Sequence, residues 1–543
     1  RVEREERPLG RTWTRTWTVH GELRSETDPR NFVTRHEYDS TGRRTATILP
    51  PREGGTGDDR LRWTYDGVGN VRTQIDARDN TTTFEYDELH RRKNESVAGV
   101  AVDGELGAVT RSWTYDTVGN LLTETDRRGI VTTSTWDREN RRKTATRDGT
   151  LVERIDYDEV GNIEQRADAN GTVTRTEYDL ADRPLQQVAG DGSAVAATTA
   201  WTYTPLGDVL TITDPVLRTT TQEWDRRRRL VRVQNAEGEV TQYTHDGLGQ
   251  IRRIVPPKGD THASTRDYDE ADRLKTVTDG ESNTWTYGYN TTDQRTSITN
   301  PRGHATTFDF DGRGLLRSMT YPGGTASWTY RHDADGHRIR ETSPDNVIRE
   351  YLVDALGRRR AATYTPAAGG EPTSTLWTYD PNGNVRSVED RFATGDPLRI
   401  TRTWDRRDRI ESETDPHGRT LRYTYDPHGN RLNRIDEAAG ETTTYTWDAR
   451  HRNTSVSNPS SGTTTLTWYR DDRQHTITRP GNGLSTTTWD RAGRVAGIVH
   501  AVNGTPLATL AYGYDLNGNR ASETLTHAGQ PPIVSSYRHD EAD

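Results

Sequence analysis

Aspartates spaced about ten residues apart, such as Asp66 and Asp76, are the first candidates for chemistry in this sequence. Two carboxylates that face each other across a cleft perform glycoside hydrolysis, one as general acid and the other as base or nucleophile. The same pair recurs in nearly every stretch of this chain, whereas an enzyme of that kind needs one pair in one pocket. The recurrence predicts an architectural role for these aspartates, and we assign no catalytic residue.

Metal and cofactor chemistry find equally little support in the sequence. The segments 380–384 and 515–519, each with one Asp and two Asn, resemble calcium loops but lack the EF-hand spacing and its terminal Glu. The 15 histidines are scattered without a His-Glu-x-x-His motif, and no glycine-rich phosphate loop opens a helix. The absence of cysteine excludes disulfides, thiolate-bound zinc and thiol catalysis. We therefore predict neither a metal nor a cofactor.

Two runs of arginine, at 226–229 and 358–360, raise the question of nucleic-acid binding. They lie beside Asp225 and Asp354, in a chain whose formal net charge is −9. We interpret them as a solvated, salt-bridged edge and predict no nucleic-acid partner.

The elements that position these residues belong to one short repeat. The segment 63–70, Trp-Thr-Tyr-Asp-Gly-Val-Gly-Asn, returns almost unchanged at 113–120. The residue before each repeat aspartate, or its stand-in, is called the anchor, and 24 anchors follow one another at a mean spacing of about 22.7 residues, most often 21. They lie at 17, 38, 65, 86, 115, 136, 157, 178, 203, 224, 245, 268, 289, 310, 332, 353, 379, 404, 425, 447, 469, 489, 514 and 539.

We assign the motif residues of the best-matching repeats a structural role. These are Tyr65, Asp66, Gly69, Asn70, Tyr115, Asp116, Gly119, Asn120, Tyr157, Asp158, Gly161, Asn162, Tyr178, Asp179, Tyr379, Asp380, Tyr425, Asp426, Tyr514 and Asp515.

The residue pattern predicts that each repeat forms two strands and two turns. Aromatic residues and threonines alternate at 63–65, apolar and polar residues alternate at 71–76, and the turn formers Asp, Gly and Asn separate the two runs. Strands joined by such short turns are antiparallel. Longer repeats carry Gly-, Ala- and Pro-rich insertions, which we predict to be loops at Ala98–Ala108 and at 366–372. We predict one all-β domain over 1–543, a hairpin meander of about 24 repeats of 20–29 residues without significant helix.

The amino-acid composition limits the shape that such a sheet can adopt. Only 29% of the residues are apolar, too few for a conventional core, while the 42 aromatic residues argue against disorder. No apolar run is long enough to span a membrane, so we predict no membrane insertion. A sheet of about 48 strands cannot stay open and flat. We therefore expect a ribbon that winds edge against edge around a hollow interior, with its anchor rings stacked on each other between strands.

The motif [Tyr/Trp]-Asp-x-x-Gly-[Asn/Arg], followed by Asp-x-x-Gly-x-x-Thr, resembles the RHS/YD repeat. It is complete at 157–179 and again at 115–137, and the resemblance extends over 11–543. The family includes bacterial Rhs effectors, the C subunit of Tc toxins, WapA-like wall proteins and the related teneurin shell. The family's C-terminal core with its self-cleaving aspartate has no match here, and we do not transfer cleavage to Asp415 or Asp426.

The resemblance implies a hollow β-shell that sequesters and delivers a C-terminal toxin domain of the same polypeptide. We accordingly expect a non-enzymatic, secreted or cell-surface bacterial protein whose other partner is a secretion apparatus or a surface glycan. Since residue 1 is Arg and no signal peptide precedes it, we expect this chain to be a middle piece. The alternative is an adhesion or carbohydrate-binding module in which exposed Tyr and Trp rings stack on sugars.

Overall fold

The computed structural model describes residues 2–55, 59–365 and 371–540. Within these ranges the chain forms 48 β-strands and one turn of 3-10 helix, Asp260–His262. Strands β1 to β24 are Arg4–Arg7, Arg11–Trp17, Leu23–Thr27, Val33–Tyr38, Arg44–Ile48, Arg60–Tyr65, Val71–Ile75, Thr81–Tyr86, Arg92–Val102, Glu105–Tyr115, Leu121–Thr125, Val131–Trp136, Arg142–Arg147, Thr150–Tyr157, Ile163–Asp168, Val173–Tyr178, Pro184–Asp191, Ala197–Tyr203, Val209–Thr213, Thr219–Trp224, Leu230–Gln234, Val240–His245, Ile251–Val255 and Ser264–Tyr268. Strands β25 to β48 are Leu274–Thr278, Thr284–Tyr289, Arg295–Thr299, Ala305–Phe310, Leu316–Thr320, Ser327–His332, Arg338–Thr342, Ile348–Val353, Arg359–Thr365, Ser374–Tyr379, Val385–Arg391, Leu398–Trp404, Ile410–Thr414, Thr420–Tyr425, Arg431–Asp436, Glu441–Trp447, Asn453–Asn458, Gly462–Trp468, Gln474–Arg479, Gly483–Trp489, Val495–Val502, Thr505–Tyr514, Arg520–His527 and Ile533–Ser536.

All 48 strands belong to one sheet. The described pairings join strands that are consecutive in the chain, always antiparallel, as in β6–β7, β7–β8 and β8–β9. Paired threonines reinforce these ladders across the strands, and Thr64 Oγ1 lies 2.6 Å from Thr73 Oγ1. The predicted fold class, an all-β antiparallel hairpin meander without significant helix, is confirmed.

A β-bulge accompanies each typical anchor. Thr64 pairs with Thr73, but the next residue, Tyr65, pairs with Val71, so that Arg72 is left over. The same shift occurs at Thr114/Tyr115 and Thr378/Tyr379. Since a bulge bends its strand and increases the local twist, its regular recurrence gives the ribbon curvature at every hairpin.

Two kinds of turn connect the strands, one kind at each edge of the ribbon. The turn that follows an anchor, such as 66–70, is called an anchor turn, and the turn at the opposite edge, such as 76–80, is called a return turn. The chain divides into two compact units, of which unit 1 contains 1–133, 268–276 and 285–418, and unit 2 contains 134–267, 277–284 and 419–543. Each unit therefore combines an earlier and a later stretch of the same meander.

The small apolar core of unit 1 lies where the sequence predicted a loop. Residues Ala98–Ala108 are not a loop, because β9 and β10 continue through them as one long hairpin. Val97, Val100 and Val109 are buried on this hairpin, and the N–H of Ala355 donates to the Gly99 carbonyl at 3.0 Å. The extra residues lengthen the strands because the hairpin packs its valines against the turn that carries Ala355 and Leu356. Of the loop predicted at 366–372, residues 366–370 lie outside the described part of the chain.

Candidate functional site

The anchor turns are closed by the aspartate that opens them. Asp66 Oδ1 accepts hydrogen bonds from the N–H groups of Val68 at 3.1 Å, Gly69 at 2.8 Å and Asn70 at 2.8 Å. Asp66 Oδ2 accepts from Asn70 Nδ2 at 2.8 Å. Gly69 is required because its φ is +103°. The hydrogen bond from the Asn70 side chain, followed by those from the backbone, lowers the pKa of Asp66.

The structure places the other motif residues in the same way. Tyr65, Tyr115, Tyr157, Tyr178, Tyr379, Tyr425 and Tyr514 each end a strand, and the following aspartates begin the anchor turns. Asp116, Asp158, Asp380 and Asp426 receive the amide N–H of the asparagine four residues later and its side-chain N–H as well. Asp179 and Asp515 accept the backbone N–H of Arg183 and Asn519.

The anchor turns alternate between two kinds, which the sequence analysis missed. In alternate turns the fourth residue after the Asp position is an arginine, where turns such as 66–70 carry Asn. Its Nε donates to the opening Asp at 2.6–2.8 Å in the turns ending at Arg43, Arg91, Arg141, Arg183, Arg229, Arg273, Arg358, Arg409, Arg452 and Arg494. The sequence shows this alternation as Asn or Arg at the fourth residue after the Asp position. The alternation defines a longer repeat that consists of two hairpins.

Most of these arginines join their own turn to the next one. Arg43 donates to the carbonyl of Asp66 at 3.3 Å, and its guanidinium carbon lies 4.8 Å from the centroid of the Tyr65 ring. The Tyr65 hydroxyl in turn donates to the Arg44 carbonyl at 2.6 Å. A cation over an aromatic face contributes about 0.5–1 kcal/mol at an exposed site, and the arrangement repeats along the edge.

The anchor rings are therefore used differently from the prediction. Guanidinium groups cover Tyr115, Tyr157, Tyr203, Tyr289, Tyr379 and Tyr514 at 4.5–4.8 Å. The predicted stacking of anchor rings on each other is wrong at these positions. Spacing of about 22 residues puts consecutive anchors two strands apart, about 9–10 Å, which is too far for rings to stack but within reach of an arginine.

Acid is expected to weaken the turns. The hydrogen bond from the Arg229 side chain, together with the backbone N–H groups, lowers the pKa of Asp225 to about 2 from an ordinary value of 3.8. A carboxyl whose pKa is lower in the folded state stabilises the fold above pH 4, and this contribution is lost as the pH falls from 4 toward 2. We expect the thermal midpoint to drop between pH 5 and pH 2.5, and Asp225→Asn to make that dependence shallower. An unchanged midpoint would contradict this account.

In unit 1 the return turns of the earlier stretch dock on the anchor turns of the later stretch. Arg78 donates from Nε to Asp335 Oδ2 at 2.7 Å and from NH1 to the Asp354 carbonyl at 2.9 Å. Arg128 donates to Asp408 Oδ1 and to the Asp405 carbonyl, both at 2.8 Å. This contact between turns is called the seam of unit 1, and it comprises 28–32, 76–80 and 126–130 against 311–315, 333–337, 354–358, 380–384 and 405–409.

Unit 2 has a seam of the same kind. Asn170 Nδ2 donates to Asp426 Oδ2 at 2.8 Å, Lys258 Nζ lies 2.6 Å from Asp515 Oδ2, and the N–H of Arg491 donates to Glu237 at 2.6 Å. The seam of unit 2 comprises 168–172, 214–218, 235–239 and 256–260 against 426–430, 448–452, 469–473, 490–494 and 515–519. In both units the partners are about 250–280 residues apart, or roughly twelve hairpins.

One position differs between several docked anchor turns and the exposed turns of the earlier stretches. The second residue after the opening aspartate is polar in two docked turns of unit 1, where Asp335 accepts the N–H of Ala77 at 2.8 Å and Asn382 that of Arg128 at 3.2 Å, whereas the docked turn 354–358 carries Leu356 there. In the earlier stretch of unit 1 the same position holds Val68 and Val118, each 71% exposed. Unit 2 repeats the contrast. Three of its docked turns carry His428, Asp471 and Asn517, and three turns of its earlier stretch carry exposed Val160, Leu206 and Leu248.

The paired aspartates and the arginine run that the sequence singled out are structural parts of the repeat. Asp66 and Asp76 lie at opposite ends of the five-residue strand β7, about 17 Å apart, so they form no catalytic pair. Burial, with the neighbouring Asp335 as a further cause, raises the pKa of Asp76 at the seam. Within the run 226–229, Arg228 binds Asp208 at 2.8 Å and Arg229 binds Asp225, in keeping with the salt-bridged interpretation.

The histidines are less scattered than the sequence suggested. Among the described residues, Asp168, His428 and His451 form a group whose potential ligand atoms all lie within 4.8 Å of one another.

In the part of the chain that the structure describes, no helix has the length and apolar character needed to cross a membrane.

Comparisons with known proteins agree with this architecture. A family model for the RHS repeat matches residues 17–50, 65–98, 157–194 and 404–438, and one for the teneurin YD-shell matches 221–388. No curated protein matches the sequence.

Solved structures of Tc toxins share the fold. The Tc holotoxin pore of Photorhabdus luminescens aligns with 95% of this chain at a TM-score of 0.57 and 15% identity. The complex TcdB2–TccC3 without its hypervariable C-terminal region aligns with 98% at 0.53 and 15% identity. This chain spans about 30% of the length of those chains. The predicted resemblance to the RHS/YD-repeat family is therefore confirmed, by RHS-repeat and YD-shell matches over the residues given above.

Proposed function

We propose that this chain is a segment of the wall of an encapsulating shell. An enclosing wall has to be continuous along the ribbon and sealed between its windings. Antiparallel ladders supply the first property, and the seams supply the second, since within each unit side chains of one edge bind backbone groups of the other. The seam is the observation that carries the proposal.

The enclosed cargo in this proposal is a toxin domain of the same polypeptide. The fold shared with Tc toxin structures supports it, as do the RHS-repeat matches. The wall works by steric exclusion and performs no chemistry on the cargo, because its carboxylates, guanidinium groups and rings already bind one another in the repeat. Such a shell protects the producing bacterium until the protein is secreted or displayed at the cell surface.

The use of the anchor rings favours this role over glycan binding. A sugar-binding ring has to offer a free face, but the Tyr65 and Tyr115 rings have guanidinium groups over a face. Their hydroxyls donate to backbone carbonyls in the same wall. These contacts use the rings to hold neighbouring hairpins together.

Limited proteolysis of the natural polypeptide that carries these repeats and a toxin domain tests the proposal. We expect the toxin domain to resist protease at least about tenfold longer than the same domain expressed alone. Replacing seam residues Arg78 and Arg128 by alanine is expected to remove most of this protection, and Arg142→Ala, which breaks an exposed ion pair with Glu153, is expected to preserve it. A toxin domain cleaved at the same rate inside and outside the polypeptide would refute encapsulation.

A further inference from the structure

Two histidines and an aspartate converge at the seam of unit 2. His451 Nε2 lies 2.5 Å from Asp168 Oδ2, and His428 Nδ1 lies 3.3 Å from the same oxygen. The two imidazole rings are stacked, with centroids 3.6 Å apart and planes within 5°. Three groups that bind transition metals therefore meet at one point, although they come from three different turns.

The surrounding backbone fixes these groups in place. Asp168 opens the return turn 168–172 and accepts the N–H groups of Asn170 at 2.8 Å and Thr172 at 3.0 Å with Oδ1, which leaves Oδ2 directed at the histidines. The N–H of His428 donates to Asn170 Oδ1 at 3.0 Å. His451 occupies the anchor turn 448–452, whose neighbouring turn supplies His428. The geometry of the seam therefore creates the cluster, and no sequence spacing reveals it.

We propose that Asp168, His428 and His451 bind a divalent transition-metal ion, with Zn²⁺ as the representative. Two imidazoles and one carboxylate form a donor set that suits zinc and its neighbours and that leaves a fourth position for water. Hard cations such as Ca²⁺ prefer six or more oxygen ligands and are not the expected occupants. His428 completes the site by a tilt of its ring, which its 41% side-chain exposure permits.

Binding of the ion changes the tautomer of His451. Asn430 Nδ2 donates to Asp426 Oδ2 and lies 2.8 Å from His451 Nδ1, so Nδ1 accepts and Nε2 carries the proton that bonds to Asp168. Coordination by Nε2 takes the neutral ring as its Nδ1–H tautomer, so the proton moves from Nε2 to Nδ1 and none is lost from the ring, and the Asn430 side chain rotates so that its NH₂ no longer faces Nδ1.

The ion would cross-link the earlier and the later stretch of unit 2. It would connect return turn 168–172 to anchor turns 426–430 and 448–452 through bonds that are absent from the seam of unit 1. Amide exchange in these three turns is therefore expected to slow when zinc is added, while exchange at 76–80 and 333–337 in unit 1 stays unchanged.

Titration calorimetry of the 543-residue chain with ZnCl₂ at pH 7.5 tests the site. We expect one Zn²⁺ per chain, and a Co²⁺-loaded sample is expected to show the visible absorption of a site with nitrogen and oxygen ligands. His428→Ala and Asp168→Asn are expected to weaken zinc binding by at least about 10–100-fold, the loss that removal of an outer-shell partner already causes.

The matched control is His417→Ala, which removes an exposed histidine from a return turn outside the cluster. It is expected to bind zinc like the unaltered chain. His428→Ala removes an exposed side chain, so its circular dichroism spectrum should remain that of the folded sheet while zinc binding is lost. Absence of stoichiometric binding, or equal binding by His428→Ala and the unaltered chain, would overturn the proposal.

Discussion

Arg78→Ala is expected to lower the free energy of unfolding of unit 1 by about 3 kcal/mol. The Arg78 side chain is 15% exposed and contacts Asp335, Asp333 and the carbonyls of Asp354 and Ala355. A hydrogen bond to a charged group contributes about 1.5–3 kcal/mol, and removal of one partner from a buried ion pair leaves the other charge uncompensated. The truncated seam would hold Asp333, Asp335 and the nearby Asp76 without their cation.

Urea unfolding and amide hydrogen exchange measure this effect. Exchange should accelerate at 76–80, 333–337 and 354–358, since the seam opens locally before the ladders do. Because burial raises the pKa of Asp76, which would lose its nearby cation, protonation of that carboxyl should make the loss smaller at pH 4.5 than at pH 7. Arg142→Ala, which removes an exposed ion pair, is expected to cost less than about 1 kcal/mol. An Arg78→Ala loss no larger than that control would show that the seam contributes nothing to stability.

The hairpin was predictable from the sequence because its determinants are local. Alternating Trp63, Thr64 and Tyr65 specify a strand, and Asp66 with Gly69 specifies the turn, all within eight residues. The structural role assigned to the aspartates came from their recurrence along the chain. Turn chemistry of this kind depends on neighbours in the chain and needs no knowledge of the winding.

The seams were beyond sequence reasoning for a physical reason. Arg78 and Asp335 are 257 residues apart, and which turns meet depends on the curvature accumulated over about twelve bulged hairpins. The local sequence pattern does not encode this accumulated curvature. The contrast between Val68 and Asp335 at equivalent positions of the repeat was nevertheless visible, and it accompanies docking in several anchor turns. Ala98–Ala108 was misread because small residues were taken as a loop signal, whereas burial against the 354–358 turn selects a longer hairpin.

Asp380→Ala is expected to be as damaging as any single change in an anchor turn, with a loss of about 3–5 kcal/mol. The Asp380 residue is 3% exposed and accepts the N–H groups of Gly383 and Asn384 as well as Asn384 Nδ2, each at 2.9 Å. Arg128 of the opposite edge also lies 3.3 Å from its carboxylate. Alanine would leave buried donors without acceptors, which costs about 1–3 kcal/mol for each group.

The comparison of three variants by urea unfolding separates the turn from the seam. Asp116→Ala breaks the corresponding turn bonds with Val118 and Asn120, but that turn lies in the earlier stretch of unit 1, where Val118 is 71% exposed, so its loss should be clearly smaller. Asp380→Asn keeps an oxygen for the backbone N–H groups but places its amide NH₂ against the NH₂ of Asn384. Its loss of unfolding free energy should therefore lie between those of Asp380→Ala and Asp116→Ala. Equal losses for Asp380→Ala and Asp116→Ala would mean that the turn alone, without the seam contact to Arg128, accounts for the contribution of this aspartate.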